Sequence, residues 1–195
     1  MLRWLSKVIF HNIAGWKFEG RWPKEIPKMV TIEVPHTSYW DFPIGILIRK
    51  ILDVDIQWAG KDSLFRFPLG GMFRWLGGVP VIRDRSTNFV QALIDIYDKS
   101  DRMNICLAPE GSRRKVDKLK TGFYYIAVGA KVPIFMVKFD YQHKIVWMRE
   151  PFYPTGDFDA DMLVIEDYFA GTHGKYPDKS YKLDTIHIKS NNEVK

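Results

Sequence analysis

The sequence predicts a single α/β domain with a largely parallel or mixed central sheet flanked by helices, preceded by an N-terminal amphipathic helix. The length of 195 residues fits one domain. The composition, 46% hydrophobic and 27% charged, is typical of a globular chain. β-prone runs alternate with helical patterns, as in βαβ units. We expect the amphipathic N-terminal helix at residues 1–14, the main domain with the candidate functional residues at 15–180 and a polar C-terminal tail at 181–195.

The N-terminal helix is predicted from Leu2, Leu5, Ile9 and Ile13, which recur at helical spacing. Such an apolar face suits either a membrane interface or packing on the domain's own core. The longest stretch without Lys, Arg, Asp, Glu or His covers only residues 121–130, whereas crossing a bilayer takes roughly 20 apolar residues. We therefore expect no membrane-spanning helix.

In the first half of the domain, a β-prone run at residues 29–34 leads through a short turn into a helical pattern at 42–52. Two short strands are predicted at 56–59 and 79–82. An apolar stripe with a capping hydroxyl residue at its start predicts a helix over 86–99.

The second half repeats the alternation. A strand, a helix, two strands and a final helix are predicted at residues 103–107, 121–130, 133–139, 144–148 and 157–169. In sheets of this kind, functional residues gather where strands end at their carboxyl side. The segments that follow residues 34, 82 and 107 are therefore the candidate site regions.

Composition narrows the partners. The formal net charge is +6, which favours an anionic partner, although the phosphate could belong to a lipid, a nucleotide or a nucleic acid. The 13 Phe, 9 Tyr and 7 Trp indicate either surfaces that face a membrane or ligand, or simply an aromatic-rich core. The single cysteine, Cys106, cannot form an internal disulfide, which fits a reducing compartment.

His36 and Asp41 lie five positions apart where a strand runs into a helix. A neutral imidazole can take a proton near neutral pH, and a carboxylate on its other nitrogen fixes the tautomer. Alternatively, Asp41 only caps the helix. The same spacing recurs at His173 and Asp178, but there it falls in a loop beyond the last helix.

Two further clusters suggest an anion site. In residues 108–115, Gly111 allows a close backbone approach and Arg113 offers a planar fork of donors for phosphate. In residues 77–85, Arg83 and Arg85 follow the end of a predicted strand and could bind the same phosphate from another side. The alternatives are a solvated basic loop for the first cluster and pairing with nearby aspartates for the second.

Taken in order, these residues resemble the four sequence blocks of the glycerolipid acyltransferases, whose best-known members are the 1-acylglycerol-3-phosphate acyltransferases. The first block of the family matches His36, Ser38 and Asp41, and the third block matches Glu110, Gly111, Ser112 and Arg113. The second block resembles residues 78–83, and the fourth resembles residues 132–134. Ser112 replaces the usual Thr of the third block. In the second block, either Arg83 or Arg85 could be the residue that binds the phosphate.

The resemblance implies the following site. His36 acts as general base on the acceptor hydroxyl, Asp41 orients it, and the hydroxyl attacks an acyl thioester directly without a covalent acyl-enzyme. Arg83 and Arg113 bind phosphate, while Glu110, Gly111 and Ser112 shape the acceptor site. No metal and no cofactor are implied, since acyl-CoA or acyl-carrier protein serves as a donor substrate.

The implied acceptor is a lysophospholipid, with 1-acylglycerol-3-phosphate converted to phosphatidate. The alternatives are another hydroxylated acceptor such as an amino-acid lipid, a non-catalytic module that binds anionic membranes, and a cysteine hydrolase that uses Cys106. Nucleic acid is not expected as a partner.

We also expect a cytoplasmic protein bound peripherally to the inner face of the membrane. Its interfacial surface is predicted to contain aromatic residues with two arginines among them, namely Trp4, Phe10, Trp16, Phe65, Phe67, Phe73, Trp75, Arg66 and Arg74. The alternative for the stretch around residues 65–76 is a core helix broken by glycines.

Overall fold

The computed structural model describes residues 2–81 and 86–181 of the chain, with the side chains of residues 86–88 left undescribed. Seven strands form one sheet: β1 Lys17–Glu19, β2 Lys28–Val34, β3 Gln57–Lys61, β4 Gly78–Val81, β5 Met103–Leu107, β6 Ile134–Asp140 and β7 Ile145–Met148. Their order across the sheet is β1-β7-β6-β2-β5-β3-β4. All neighbouring pairs are parallel except β6 with β7.

Six α-helices accompany the sheet within the described residues: α1 Leu2–Lys7, α2 Asp41–Leu52, α3 Gly70–Trp75, α4 Ser86–Asp98, α5 Gly122–Ala130 and α6 Phe158–Phe169. A π-helix over Val8–Ile13 continues α1, and 3-10 turns cover Asp62–Phe65 and Pro177–Lys179. The predicted α/β fold with a mixed, mostly parallel sheet is confirmed. The short edge strand β1 has no counterpart among the predicted elements.

Side chains of the sheet alternate between two apolar layers. In β2, Val30, Ile32 and Val34 belong to the core on the side of α4, α5 and α6. Met29 belongs to the core on the side of α2. Because alternate residues of a strand share a face, Thr31 and Glu33 lie on the α2 side with Met29. This face therefore turns from apolar to polar as β2 approaches the site.

The N-terminal segment exposes most of the apolar stripe that the sequence predicts. It buries Ser6 and Phe10, whereas Leu2, Leu5 and Ile13 of the predicted stripe are exposed. Packing through Phe10 joins the helix to the core beneath α2. The apolar stripe read from the sequence is thus largely the outer face of this segment.

The predicted interfacial set divides in the same way. Phe10, Trp16 and Phe65 are buried and belong to the interior. Trp4, Phe67 and Trp75 are 68%, 97% and 70% exposed. The buried three pack against other aromatic rings, whereas Phe67 lies in the turn between the 3-10 turn Asp62–Phe65 and α3.

Candidate active site

His36 and Asp41 lie at the carboxyl edge of the sheet. β2 ends at Val34, His36 follows two residues later, and α2 begins at Asp41. Because β5 runs parallel to β2, the loop after β5 reaches the same edge. There the carboxylate of Glu110 accepts a hydrogen bond from the backbone N–H of His36. Two of the predicted blocks are therefore joined directly.

The predicted pair is formed. His36 Nδ1 lies 3.1 Å from Oδ2 of Asp41, whose side chain is fully buried. Oδ2 also accepts from the backbone N–H of Ser38 at 3.0 Å, which fixes the carboxylate across the turn. With Nδ1 facing Asp41, Nε2 is the nitrogen left for a substrate.

The alternative role of Asp41 as a simple helix cap does not describe this geometry. The residue at the N-cap of α2 is Trp40, and its side chain makes no capping hydrogen bond. Asp41 Oδ1 instead accepts from the hydroxyl of Tyr141 at 2.5 Å. The carboxylate is therefore held by donors on both sides while it faces the imidazole.

Tyr141 is a site residue that sequence reasoning missed. It follows directly after β6, which lies beside β2 in the sheet. The signal that could have found it is its position at the carboxyl end of a neighbouring parallel strand. Burial and the Asp41 carboxylate raise the pKa of the Tyr141 hydroxyl, so it stays a hydrogen-bond donor.

A second carboxyl group approaches the histidine. Oε1 of Glu33 lies 3.5 Å from His36 Nδ1, and the two side chains are 14% and 17% exposed. Burial raises the pKa of Glu33. Burial also raises the pKa of Glu110, to about 7, against the opposing effect of its hydrogen bond from His36. The histidine therefore faces a cluster of acids rather than a single aspartate.

This cluster sets the charge of the ring. Burial alone lowers the pKa of His36, but the contacts with Asp41 and Glu33 together have the larger effect and raise the pKa to about 10. A ring with that pKa holds two protons at neutral pH, whereas base catalysis needs the neutral form. The pKa of Glu33 is itself raised. When Glu33 is protonated, one of the negative charges that favour the protonated ring is lost, and the pKa of His36 falls.

Glu33, His36 and Asp41 each have one potential metal-ligand atom, and these three atoms lie within 4.8 Å of one another. Within this group, Nδ1 of His36 contacts Oδ2 of Asp41 at 3.1 Å. A metal ion there would have to replace that contact. As placed, the side chains of Glu33 and Asp41 both approach His36 directly.

Arg113 lies beside the cluster. Its guanidinium carbon is 4.0 Å from the ring centre of Tyr39. Its positive charge acts to lower the pKa of Glu33, against the larger effect of burial. Its buried Nε has no hydrogen-bond partner among the described residues. The guanidinium therefore acts electrostatically on Glu33 and has an Nε donor without a partner among the described residues.

The remaining predicted substrate-binding residues are Gly111 and Ser112 in the loop after β5 and the arginines that follow β4. Gly111 turns the loop with a φ of 65°, a conformation that glycine adopts readily. Ser112 is exposed, and its hydroxyl accepts from the backbone N–H of Arg114 at 3.4 Å. Arg83 and Arg85 lie outside the described residues.

The loop with the second His-Asp spacing packs beside the site without forming another pair of this kind. Its His173 contributes a backbone carbonyl, which accepts from the N–H of Tyr141 at 2.8 Å. The N–H of Tyr176 donates to the hydroxyl of Thr37, next to His36, at 3.3 Å. This loop therefore supports the residues around the first pair.

Cys106 does not have the environment of a nucleophile. It lies within β5, and burial raises the pKa of its thiol. A thiol must ionise to attack an acyl group, and burial opposes this. The geometry therefore does not favour the cysteine hydrolase alternative.

The chain matches a known protein family. The Acyltransferase family matches residues 24–139, a span that contains His36, Asp41, Glu110 and Arg113. The chain therefore belongs to the Acyltransferase family.

Two curated relatives are similar over most of this chain. The human 1-acyl-sn-glycerol-3-phosphate acyltransferase beta is 29% identical over 162 residues, covering 79% of this chain and 57% of its own length. The 1-acyl-sn-glycerol-3-phosphate acyltransferase of Haemophilus influenzae is 27% identical over 145 residues, covering 69% of this chain and 58% of its own. The chain thus spans less than two thirds of the length of either.

A solved structure shares the fold. The crystal structure of the 1-acyl-sn-glycerophosphate (LPA) acyltransferase PlsC from Thermotoga maritima superposes with a TM-score of 0.53 at 16% identity. The alignment covers 85% of this chain and 75% of that one. At this identity the likeness concerns the architecture alone.

Proposed function

We propose that this protein transfers a fatty acyl group from an acyl thioester to the hydroxyl of a lysophospholipid. The proposed acceptor is 1-acylglycerol-3-phosphate and the product is phosphatidate, as the names of the curated relatives suggest. The observation that carries the proposal is the contact of 3.1 Å between His36 Nδ1 and a buried Asp41 carboxylate.

In the proposed mechanism, Nε2 of the neutral His36 ring takes the proton from the acceptor hydroxyl. The oxygen attacks the thioester carbonyl and forms a tetrahedral intermediate. The intermediate collapses by breaking the carbon–sulfur bond, and the departing sulfur receives the proton from the imidazolium. Asp41 stabilises that imidazolium and keeps Nε2 directed at the acceptor, while Ser38 and Tyr141 hold the carboxylate.

The negative acceptor is proposed to bind at Arg113. Its unpartnered Nε is compatible with a phosphate oxygen as a hydrogen-bond partner. Arg83 remains a proposed second phosphate ligand. Acyl-CoA or acyl-carrier protein is the proposed donor, and no separate cofactor or metal is part of the mechanism.

The test is acyl transfer by the purified protein from labelled acyl-CoA and acyl-carrier protein to a panel of lysolipids. We expect labelled phosphatidate from lysophosphatidate. Transfer only to a hydroxylated amino-acid lipid would support the alternative acceptor. An absence of transfer with every donor and acceptor, from a folded protein that still binds anionic vesicles, would support the non-catalytic module.

Arg113→Ala is expected to raise the KM for lysophosphatidate roughly tenfold or more, since hydrogen bonds to charged groups contribute about 1.5–3 kcal/mol. Arg114→Ala is the matched control, because its exposed side chain is the adjacent positive charge. Equal effects of the two substitutions on KM would contradict a specific phosphate contact.

We further propose that the protein binds peripherally to the cytoplasmic face of a membrane. No helix within the described residues is long and apolar enough to span a bilayer. The segment after β3 exposes a group of large apolar side chains, which we call the 64–75 surface: Leu64, Phe67, Leu69, Met72 and Trp75. Arg66 and Arg74 are exposed in the same segment, and Lys50 Nζ lies 5.9 Å from the ring centre of Trp75.

This mixture suits a surface of anionic lipid, where apolar and aromatic groups enter the interface and basic groups meet headgroups. We expect the double substitution Phe67→Ser with Trp75→Ser to weaken binding to anionic vesicles roughly tenfold or more in a sedimentation assay, since burying one such side chain contributes about 1.5–3 kcal/mol. Tyr153→Ser removes another exposed aromatic ring and serves as control. Unchanged sedimentation of the double variant would refute this surface.

A further inference from the structure

We propose that Glu33 is a positioning residue that shares the Nδ1 proton of His36 with Asp41 and thereby sets the orientation and basicity of the catalytic ring. This proposal rests on the proposed function, because it assigns His36 the part of the base. Glu33 lies outside the His-Asp spacing that identifies the pair. It enters the site from β2, three residues before the histidine.

Distances define the arrangement. Nδ1 lies 3.1 Å from Asp41 Oδ2 and 3.5 Å from Glu33 Oε1. Neither approach has the geometry of a well-directed hydrogen bond, and both Nδ1 and Oε1 are buried without any other partner among the described residues. Buried polar atoms are costly to leave unpaired. In the proposed arrangement, the proton on Nδ1 lies between the two carboxyl oxygens and is shared by both.

The two carboxyls are not equivalent. Asp41 already accepts from Ser38 and from the Tyr141 hydroxyl, so part of its charge is taken up by fixed donors. Oε1 of Glu33 has no such donor in the described part of the chain. When His36 accepts a proton from the acceptor, Glu33 supplies the less committed negative charge.

Other groups around Glu33 act on this balance. Asp41 on α2 raises the pKa of Glu33, whereas Arg113 in the loop after β5 lowers it, both less than burial does. Glu110 from the same loop is held at the His36 backbone N–H. On the neighbouring strand, burial and, to a smaller extent, the charge of Glu33 raise the pKa of the Cys106 thiol. Tyr141, after β6, keeps its proton because its pKa is raised.

The sign of the effect follows from charge. The anionic carboxyl of Glu33 favours the protonated ring, so Glu33→Gln removes a negative charge and lowers the pKa of His36. The ring then stays neutral at lower pH, which moves the acid limb of kcat/KM to lower pH. Because a less basic ring is also a weaker proton acceptor, the plateau rate falls several-fold.

The direct test is an NMR titration of isotope-labelled histidine in the full chain, with the His36 signals assigned from a His36→Asn spectrum. Glu33→Gln is expected to lower the pKa of His36 by about one unit or more. Glu150→Gln, which removes an exposed carboxylate, is expected to leave it unchanged. Glu33→Asp retains the charge and is expected to restore part of the shift.

A His36 pKa that is the same in the native protein and in folded Glu33→Gln would overturn the proposal, as would an equal shift in Glu150→Gln. If Glu33→Gln does not fold, Glu33→Thr, which also removes the charge, carries the comparison with the native protein, and identical His36 pKa values would again overturn the proposal. The titration needs no substrate. Failure of acyl transfer with an intact shift would therefore count against the proposed function alone.

Discussion

His36→Ala is expected to reduce acyl transfer by about 10²–10⁴-fold or more, the contribution typical of general base catalysis. Nε2 is the nitrogen available to the acceptor, because Nδ1 faces Asp41 at 3.1 Å. Alanine leaves no group in this position to take the hydroxyl proton. The measurement is the initial rate of labelled phosphatidate formation at equal concentrations of folded enzyme, with folding checked by thermal unfolding.

His173→Ala is the matched control for this substitution, because His173 begins the other His-Asp spacing of the chain. The site depends on its backbone carbonyl rather than on its ring, and alanine retains that carbonyl. We expect near-native rates. A rate of His36→Ala close to that of His173→Ala would show that the ring at position 36 is not the base.

Asp41→Asn is expected to reduce the rate roughly 10³-fold, because an amide no longer stabilises the imidazolium and can present an N–H group to Nδ1. The substitution also disturbs the bonds to Ser38 and Tyr141 in a fully buried position. We therefore expect a loss of about 1–3 kcal/mol in the free energy of unfolding. Thermal unfolding and the initial rate measure the two effects separately.

Tyr141→Phe distinguishes the contribution of the carboxylate's charge from that of its anchoring. It removes the hydroxyl that donates to Oδ1 and retains the ring. We expect a smaller loss of rate than in Asp41→Asn, since the carboxylate still faces His36. A larger loss in Tyr141→Phe would mean that the tyrosine, rather than the aspartate, dominates the environment of the base.

The order and type of the main elements could be predicted because their patterns are local. β2, α2 and β5 could be predicted directly from apolar runs and their ends: β2 and α2 each begin one residue before the predicted start, and the bounds of β5 coincide with the prediction. β1 was missed because three residues carry too little periodicity, and its place is set by pairing with β7. The sequence left two alternatives open for the N-terminal apolar stripe, and the structure exposes Leu2, Leu5 and Ile13 while Phe10 packs in the core.

The site was predictable only where it is continuous in sequence. His36 and Asp41 are joined by one turn, so their pairing follows from a short spacing. Tyr141 reaches Asp41 from 100 residues away, a contact that depends on the order of strands in the sheet. Glu33 reads as an ordinary strand residue, and only the alternation of β2 toward the α2 face directs it at the ring.

The measurement that tests the central claim most directly is the acyl transfer rate of the double variant His36→Ala with Asp41→Asn. If the aspartate acts through the histidine, the double variant retains about the same residual rate as His36→Ala alone, since residues that act as a unit have non-additive effects. If Asp41→Asn lowers the rate of the His36→Ala variant by the same factor as it lowers that of the native protein, the two residues act independently and the account is wrong.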